Sequence, residues 1–118
     1  MKENIAKNKS FEFALRIISL SKYLQEEKHE YILSKQCMRS GTSIGANIRE
    51  SEHAESKADF IHKLSISLKE ANETQYWLEL LYKSDYIDET AYISLWNDLI
   101  ELLKLLISII KSSKTPLK

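Results

Sequence analysis

Apolar residues first recur with helical spacing at Phe11. Phe11, Ala14, Leu15 and Ile18 form one stripe, and Phe13, Ile17, Leu20 and Leu24 form a second beside it. This predicts a first helix to about Leu24, with Glu12, Arg16 and Ser19 on the polar wedge. The polar run QEEKHE, residues 25–30, marks the first connection. A second helix follows from about Tyr31 to Glu52, with Leu33, Cys37, Ser40, Ile44 and Ile48 on one face. Its interior holds Gly41 and Gly45, the only glycines of the chain. Each costs a helix interior about 1 kcal/mol relative to Ala, so the close approach of another backbone, or a kink, should account for them.

Ser56 followed by Asp59 reads as a capping box that starts a third helix just before Phe60. That helix carries Ile61, Leu64, Leu68, Ala71, Gln75, Leu78 and Tyr82 at heptad spacing, with Gln75 as a polar register position. Residues 83–87 interrupt the pattern, and Asp88 is placed to cap a fourth helix. There Tyr92, Leu95, Leu99, Leu102, Leu106 and Ile109 form one stripe. Ile93, Trp96, Ile100, Leu103, Ile107 and Ile110 form another next to it, and Ser94, Asn97, Glu101, Lys104, Ser108 and Lys111 face water. Two full stripes exceed the roughly 100° apolar face that a monomeric bundle needs.

Short links between four such helices predict an all-α fold, an antiparallel up-down-up-down four-helix bundle over residues 11–111. Residues 1–10 read as a flexible basic arm and residues 112–118 as a frayed polar tail. A length of 118 residues suits one domain, and two Gly and one Pro are too few for the turns of an all-β fold. Seventeen basic and seventeen acidic residues give zero net charge, which argues against a dedicated nucleic-acid binder. The lone Cys37 calls for no oxidising compartment, and MKENIAKNKS has no apolar run, so a cytoplasmic protein without leader or membrane anchor is expected.

Candidate chemistry is sparse. Glu50-x-x-His53 matches one element of a di-iron bundle, but His29 and His62 have no Glu three residues earlier, so no metal is expected. No nucleophile elbow and no glycine-rich phosphate loop is present, so neither an enzyme nor a cofactor nor a small-molecule substrate is expected. Gln36, Arg39, Ser43, Asn47 and Glu50 line up beside the apolar face of the second helix. They are either a solvated flank or a polar contact between helices or subunits that sets register. Charge is uneven: residues 1–50 are +3 and residues 51–118 are −3. In a bundle of this topology Lys2, Lys7 and Lys9 collect near Lys111, Lys114 and Lys118, as solubilising ends or as a weak polyanion contact.

The core Ser43-Ile44-x-x-Asn47-Ile48-x-Glu50 carries a family resemblance, with Arg39 before it, Ser56-Lys57-x-Asp59-Phe60 after it, and Leu78-Glu79-Leu80 with Tyr86-Ile87. Over about Phe11 to Ile110 the chain resembles the bacterial four-helix-bundle family named for the 23S rRNA intervening-sequence protein, or S23 ribosomal protein. It departs at Arg49-Glu50-Ser51, where the family usually has Ala-Glu-Gly, and at Phe11 and Phe13, where many members have a Trp-bearing first helix. The resemblance implies a ring-like homopentamer and an association with RNA or a nucleic-acid-handling protein. The expected function is thus a non-enzymatic homo-oligomeric scaffold. Its oligomer interface would be Ile93, Trp96, Ile100, Leu103, Ile107 and Ile110. The alternative is an RNA-associated accessory protein using the basic ends of the ring.

Overall fold

The computed structural model describes residues 1–115, which form four helices: α1 (Lys2–Glu26), α2 (Leu33–Ser51), α3 (Lys57–Lys83) and α4 (Glu89–Lys114). Each packs on its neighbours in chain order and α4 closes back on α1, with no close backbone approach across either diagonal among the described residues. The result is an antiparallel four-helix bundle 54 Å long. Phe13, Ile17, Leu24, Ile44, Leu64, Leu78, Leu81, Leu99, Leu102 and Leu106 fill its centre.

The helix starts follow their caps. Ser56 Oγ accepts from the Asp59 N–H at 3.0 Å, while an Asp59 carboxylate oxygen accepts from the Glu55 N–H at 3.2 Å. Asp88 accepts from the Ala91 N–H at 2.8 Å. α2 is capped from further back: the buried Glu30 carboxylate accepts from the N–H groups of Ile32, Leu33 and Ser34 at 3.0, 2.9 and 2.7 Å. Glu30 belongs to the run read as a plain polar link, and it moves the start of α2 to Leu33.

α3 ends in a Schellman turn. The Tyr86 N–H donates to Leu81 O at 2.9 Å and the Asp85 N–H to Tyr82 O at 3.1 Å, with Asp85 left-handed at φ 65°. Glycine carries no Cβ penalty there, but its unfolded chain is freer, so Asp85→Gly should gain about 0.5 kcal/mol. A thermal melt should show a midpoint roughly 2 °C higher.

The structure differs from the sequence expectation at both ends of the chain. Residues 2–10 are not an arm but the first turns of α1, and residues 112–114 continue α4. Ala6 and Ser10 carry the buried row of Phe13 and Ile17 down to the chain start. Their side chains are too small to register as an apolar stripe, and they sit where helices come close. The tail beyond Thr115 lies outside the described residues.

In α3 the central row is Leu64, Ser67, Ala71, Thr74, Leu78 and Leu81. The heptad members Ile61, Leu68, Gln75 and Tyr82 are only half-buried, so Gln75 is not a central register residue. Ser67 and Thr74 stay in the core because their hydroxyls are satisfied. Ser67 Oγ donates to Ile44 O at 2.8 Å, and Thr74 Oγ1 lies 2.8 Å from Ser40 Oγ and 2.7 Å from Glu70 O.

The two glycines of α2 mark a close approach to α1. A Cβ on Gly41 would lie 2.9 Å from Ile17 Cγ1, and one on Gly45 would lie 3.1 Å from Ser10 Oγ and 3.5 Å from the Ser10 backbone.

Candidate functional site

The polar row of α2 separates into parts when its side chains are followed. Arg39 turns to α3, where its guanidinium meets Glu70 at 3.2 Å and also pairs with Glu73. Gln36 accepts from Arg39 Nε at 3.3 Å, and Glu73 accepts from the Trp77 indole N–H at 2.9 Å. Two carboxylates thus hold one guanidinium in a charge-assisted network across the α2–α3 seam. Ser43 and Asn47 bond back to their own helix, at Arg39 O and Ser43 O. Glu50 is exposed, so Arg39 and Glu50 are not brought together. Glu70, Glu73 and Trp77, which complete the network, lie three and four residues apart on α3. That spacing was the one sequence signal available for them.

The second stripe of α4 is narrower than its sequence suggests. Leu103 and Ile110 are buried within the protomer at 8% and 9% exposure, so they do not form part of an outer face. Trp96 and Ile100 are half-buried, and Ile93 and Ile107 remain exposed at 47% and 52%. The reason is the turn of α4 toward α3. Tyr92 stacks on Tyr82 with ring centroids 4.4 Å apart, and Trp96 follows at 5.3 Å from Tyr92. Burial pushes the Tyr92 hydroxyl up, and the hydrogen bond to Glu89 pushes up that of Tyr82. Ile93, Ile100 and Ile107 are left as a line on the flank of α4 away from α1.

A second apolar area lies on the opposite side, where α1 meets α2. Phe11 and Leu15 of α1 are half exposed, and Met38 of α2 is exposed. Phe11, Ala14, Gly45 and Ala46 line a shallow groove of about 270 Å³, with the Arg49 guanidinium 5.2 Å above the Phe11 ring. The first stripe read along α1 is this outer face, while Phe13, Ile17, Leu20 and Leu24 point inward.

The basic end is neutralised in part. Lys7 pairs with Glu52 at 3.1 Å and Lys9 with Glu101 at 2.7 Å, a contact that raises the Lys9 ammonium above its ordinary value. Lys2 donates to Ser108 at 2.7 Å. Lys111 and Lys114 are exposed, and Lys118 lies outside the described residues.

Among the described residues no group of three His, Cys, Asp or Glu could hold a metal ion. Burial pushes the Cys37 thiol up to about 12, which keeps it protonated at neutral pH. No helix among them is long and apolar enough to cross a membrane.

The chain is similar to a solved structure from Bacteroides thetaiotaomicron VPI-5482, a protein of unknown function from the S23 ribosomal protein family. The two are 62% identical over 94% of this chain and 99% of that one, with a TM-score of 0.93. No curated protein matches the chain. Residues 2–108 match the family of the 23S rRNA-intervening sequence protein. The four helices, the capped α2–α3 and α3–α4 connections and this match over nearly the whole length agree, and the chain belongs to that family.

Proposed function

We propose that the chain is a non-enzymatic scaffold that assembles with copies of itself. The observation that carries this is a pair of different apolar areas on opposite sides of one bundle. Ile93, Ile100 and Ile107 lie on one side, and Phe11, Leu15 and Met38 on the other. Exposed apolar patches of this kind on a neutral surface mark interaction sites. When the two patches differ and face apart, copies join head to tail, and such contacts close into a ring or run into a filament. A ring of five is what the family resemblance implies.

Absolute mass from multi-angle light scattering tests this. The wild type should weigh several times the 13.8 kDa of one chain. Leu15→Glu and Ile107→Glu alter different sides of the bundle, and each alone should reduce the mass to one chain. Wild-type protein that runs as a single chain would overturn the reading.

RNA association through the bundle end has less support, because Lys7 and Lys9 already hold carboxylates within the protomer. A low-salt gel shift with structured RNA that disappears on Lys111→Gln/Lys114→Gln would favour it instead.

A further inference from the structure

The four seams of the bundle are built differently. Buried hydroxyls bridge α2 and α3, glycines let α1 settle on α2, and stacked tyrosines join α3 to α4. Exposed ion pairs also cross α1–α2 at Lys7–Glu52 and α2–α3 at Arg39 with Glu70 and Glu73. In the seam between α1 and α4, however, charged contacts at the surface run along its length, with no buried hydroxyl bridge among the described residues. Lys2 reaches Ser108, Lys9 reaches Glu101 at 2.7 Å, and Arg16 reaches Ser94 Oγ at 2.9 Å and Asp98 at 2.5 Å. Lys2, Lys9 and Arg16 are seven residues apart on α1, and Ser108, Glu101 and Ser94 are seven apart in the reverse direction on α4. The contacts therefore repeat on one line roughly every 10 Å.

Along that line the surface is notched. A surface pocket of about 90 Å³ lies among Lys9, Glu12, Phe13, Asp98 and Glu101. Where α1 ends, a wider cleft of about 330 Å³ opens between Leu20 and Tyr23 of α1 and Ile87, Asp88 and Ala91 at the start of α4. Unfilled volume forfeits dispersion contact along the seam. Outside the apolar core shared by all four helices, what holds this seam is exposed charge pairing, which salt screens.

We infer that the α1–α4 seam is an ionic-strength-sensitive latch: the two helices part there while α2 and α3 stay joined. Parting uncovers Phe13 and Leu20 on α1 and Leu102 and Ile109 on α4, all buried in the closed bundle. It also changes the separation of the outer faces of α1 and α4, so salt would act on any assembly that uses both. That last consequence rests on the assembly reading, and the latch itself does not.

Thiol labelling of the full chain tests it, with Cys37→Ala as background and the neutral reagent iodoacetamide as probe. Leu102→Cys reports on the latch, Leu20→Cys reports on it from the other helix, and Thr74→Cys reports on the α2–α3 seam. At low salt the two latch probes should label faster than Thr74→Cys. Between about 20 mM and 500 mM NaCl their rates should rise roughly fivefold, the sum expected for two screened surface ion pairs, while Thr74→Cys stays level. Lys9→Gln/Arg16→Gln should bring the latch probes to their high-salt rate already at low salt. A single labelling rate shared by all three positions, or latch rates that ignore both salt and the glutamines, would overturn the inference, since exposure would then require global unfolding.

Discussion

Gly41→Val should lower the stability of the fold by about 3 kcal/mol, read as a lower midpoint in urea at fixed protein concentration. Even the first carbon of a side chain at Gly41 would meet Ile17 Cγ1 at 2.9 Å, Cγ2 at 3.0 Å and Cβ at 3.4 Å. Ile17 is fully buried and β-branched, and on a helix such a side chain is nearly confined to one rotamer. It cannot swing aside, so α1 and α2 must separate, which also pulls Ser10 off Gly45 four residues on. Replacing Gly by a better helix former returns only a few tenths of a kcal/mol for Val and about 1 kcal/mol for Ala. Gly41→Ala should therefore cost about 1 kcal/mol, the overpacking less the gain in propensity. Combined with Ile17→Ala, which makes its own cavity, it should cost less than the sum of the two by about 1 kcal/mol or more. Strict additivity would mean that α1 and α2 do not depend on this contact.

The bundle was legible where large aliphatic side chains repeat. Leu95, Leu99, Leu102 and Leu106 announce α4, and Ser56 and Asp88 announce two helix starts through side chains that need no tertiary partner. It was illegible where the core is made of small or polar residues. Ala6, Ser10, Ser67 and Thr74 are all buried, yet three of these four count as polar in any periodicity. Their burial depends on a hydroxyl finding a carbonyl or another hydroxyl on the same or the next helix, and that geometry exists only after folding. The first turns of α1 were missed for this reason. The charged partners were hidden by distance along the chain: Arg39 pairs with Glu70 and Glu73, and Arg16 with Asp98. No local spacing selects one carboxylate among seventeen.

The same limit explains why two adjacent stripes on α4 overstated its free surface. Ile93, Ile100 and Ile107 lie on the outer edge of the stripe, while Leu103 and Ile110, three residues after Ile100 and Ile107, turn toward the buried row of Leu99 and Leu106. Ile93 is exposed, whereas Ile110 on the same nominal stripe is buried. What survives as outer surface is the line of Ile93, Ile100 and Ile107, and its meaning for assembly comes from the second patch on α1 and α2 rather than from its own width.

Glu30→Ala should cost about 3 kcal/mol, close to the Gly41 effect but through lost polar contacts. The carboxylate is buried and serves three successive N–H groups, while Ser34 Oγ donates back to Glu30 O at 2.8 Å. The Glu30 N–H is itself held by Leu24 O at 2.9 Å, so this residue ties the end of α1 to the start of α2. Residue 29 before it is left-handed, at φ 55°, a conformation that non-glycine residues hold only when their surroundings impose it. Truncation leaves the N–H groups of Ile32 and Leu33 able to find water. That of Ser34, in a fully buried residue, is left without a partner at a cost of about 1–3 kcal/mol. The lost negative charge at the helix N-terminus adds several tenths of a kcal/mol. Glu30→Gln keeps one acceptor oxygen but aims an amide NH2 at the remaining donors, so it should fall between the wild type and alanine. A melting point lowered by roughly 10 °C for Glu30→Ala, with faster amide exchange confined first to residues 30–36, is the expected result. If alanine and wild type melt together, α2 is held by its packing on α1 and α3 alone and the carboxylate cap is dispensable.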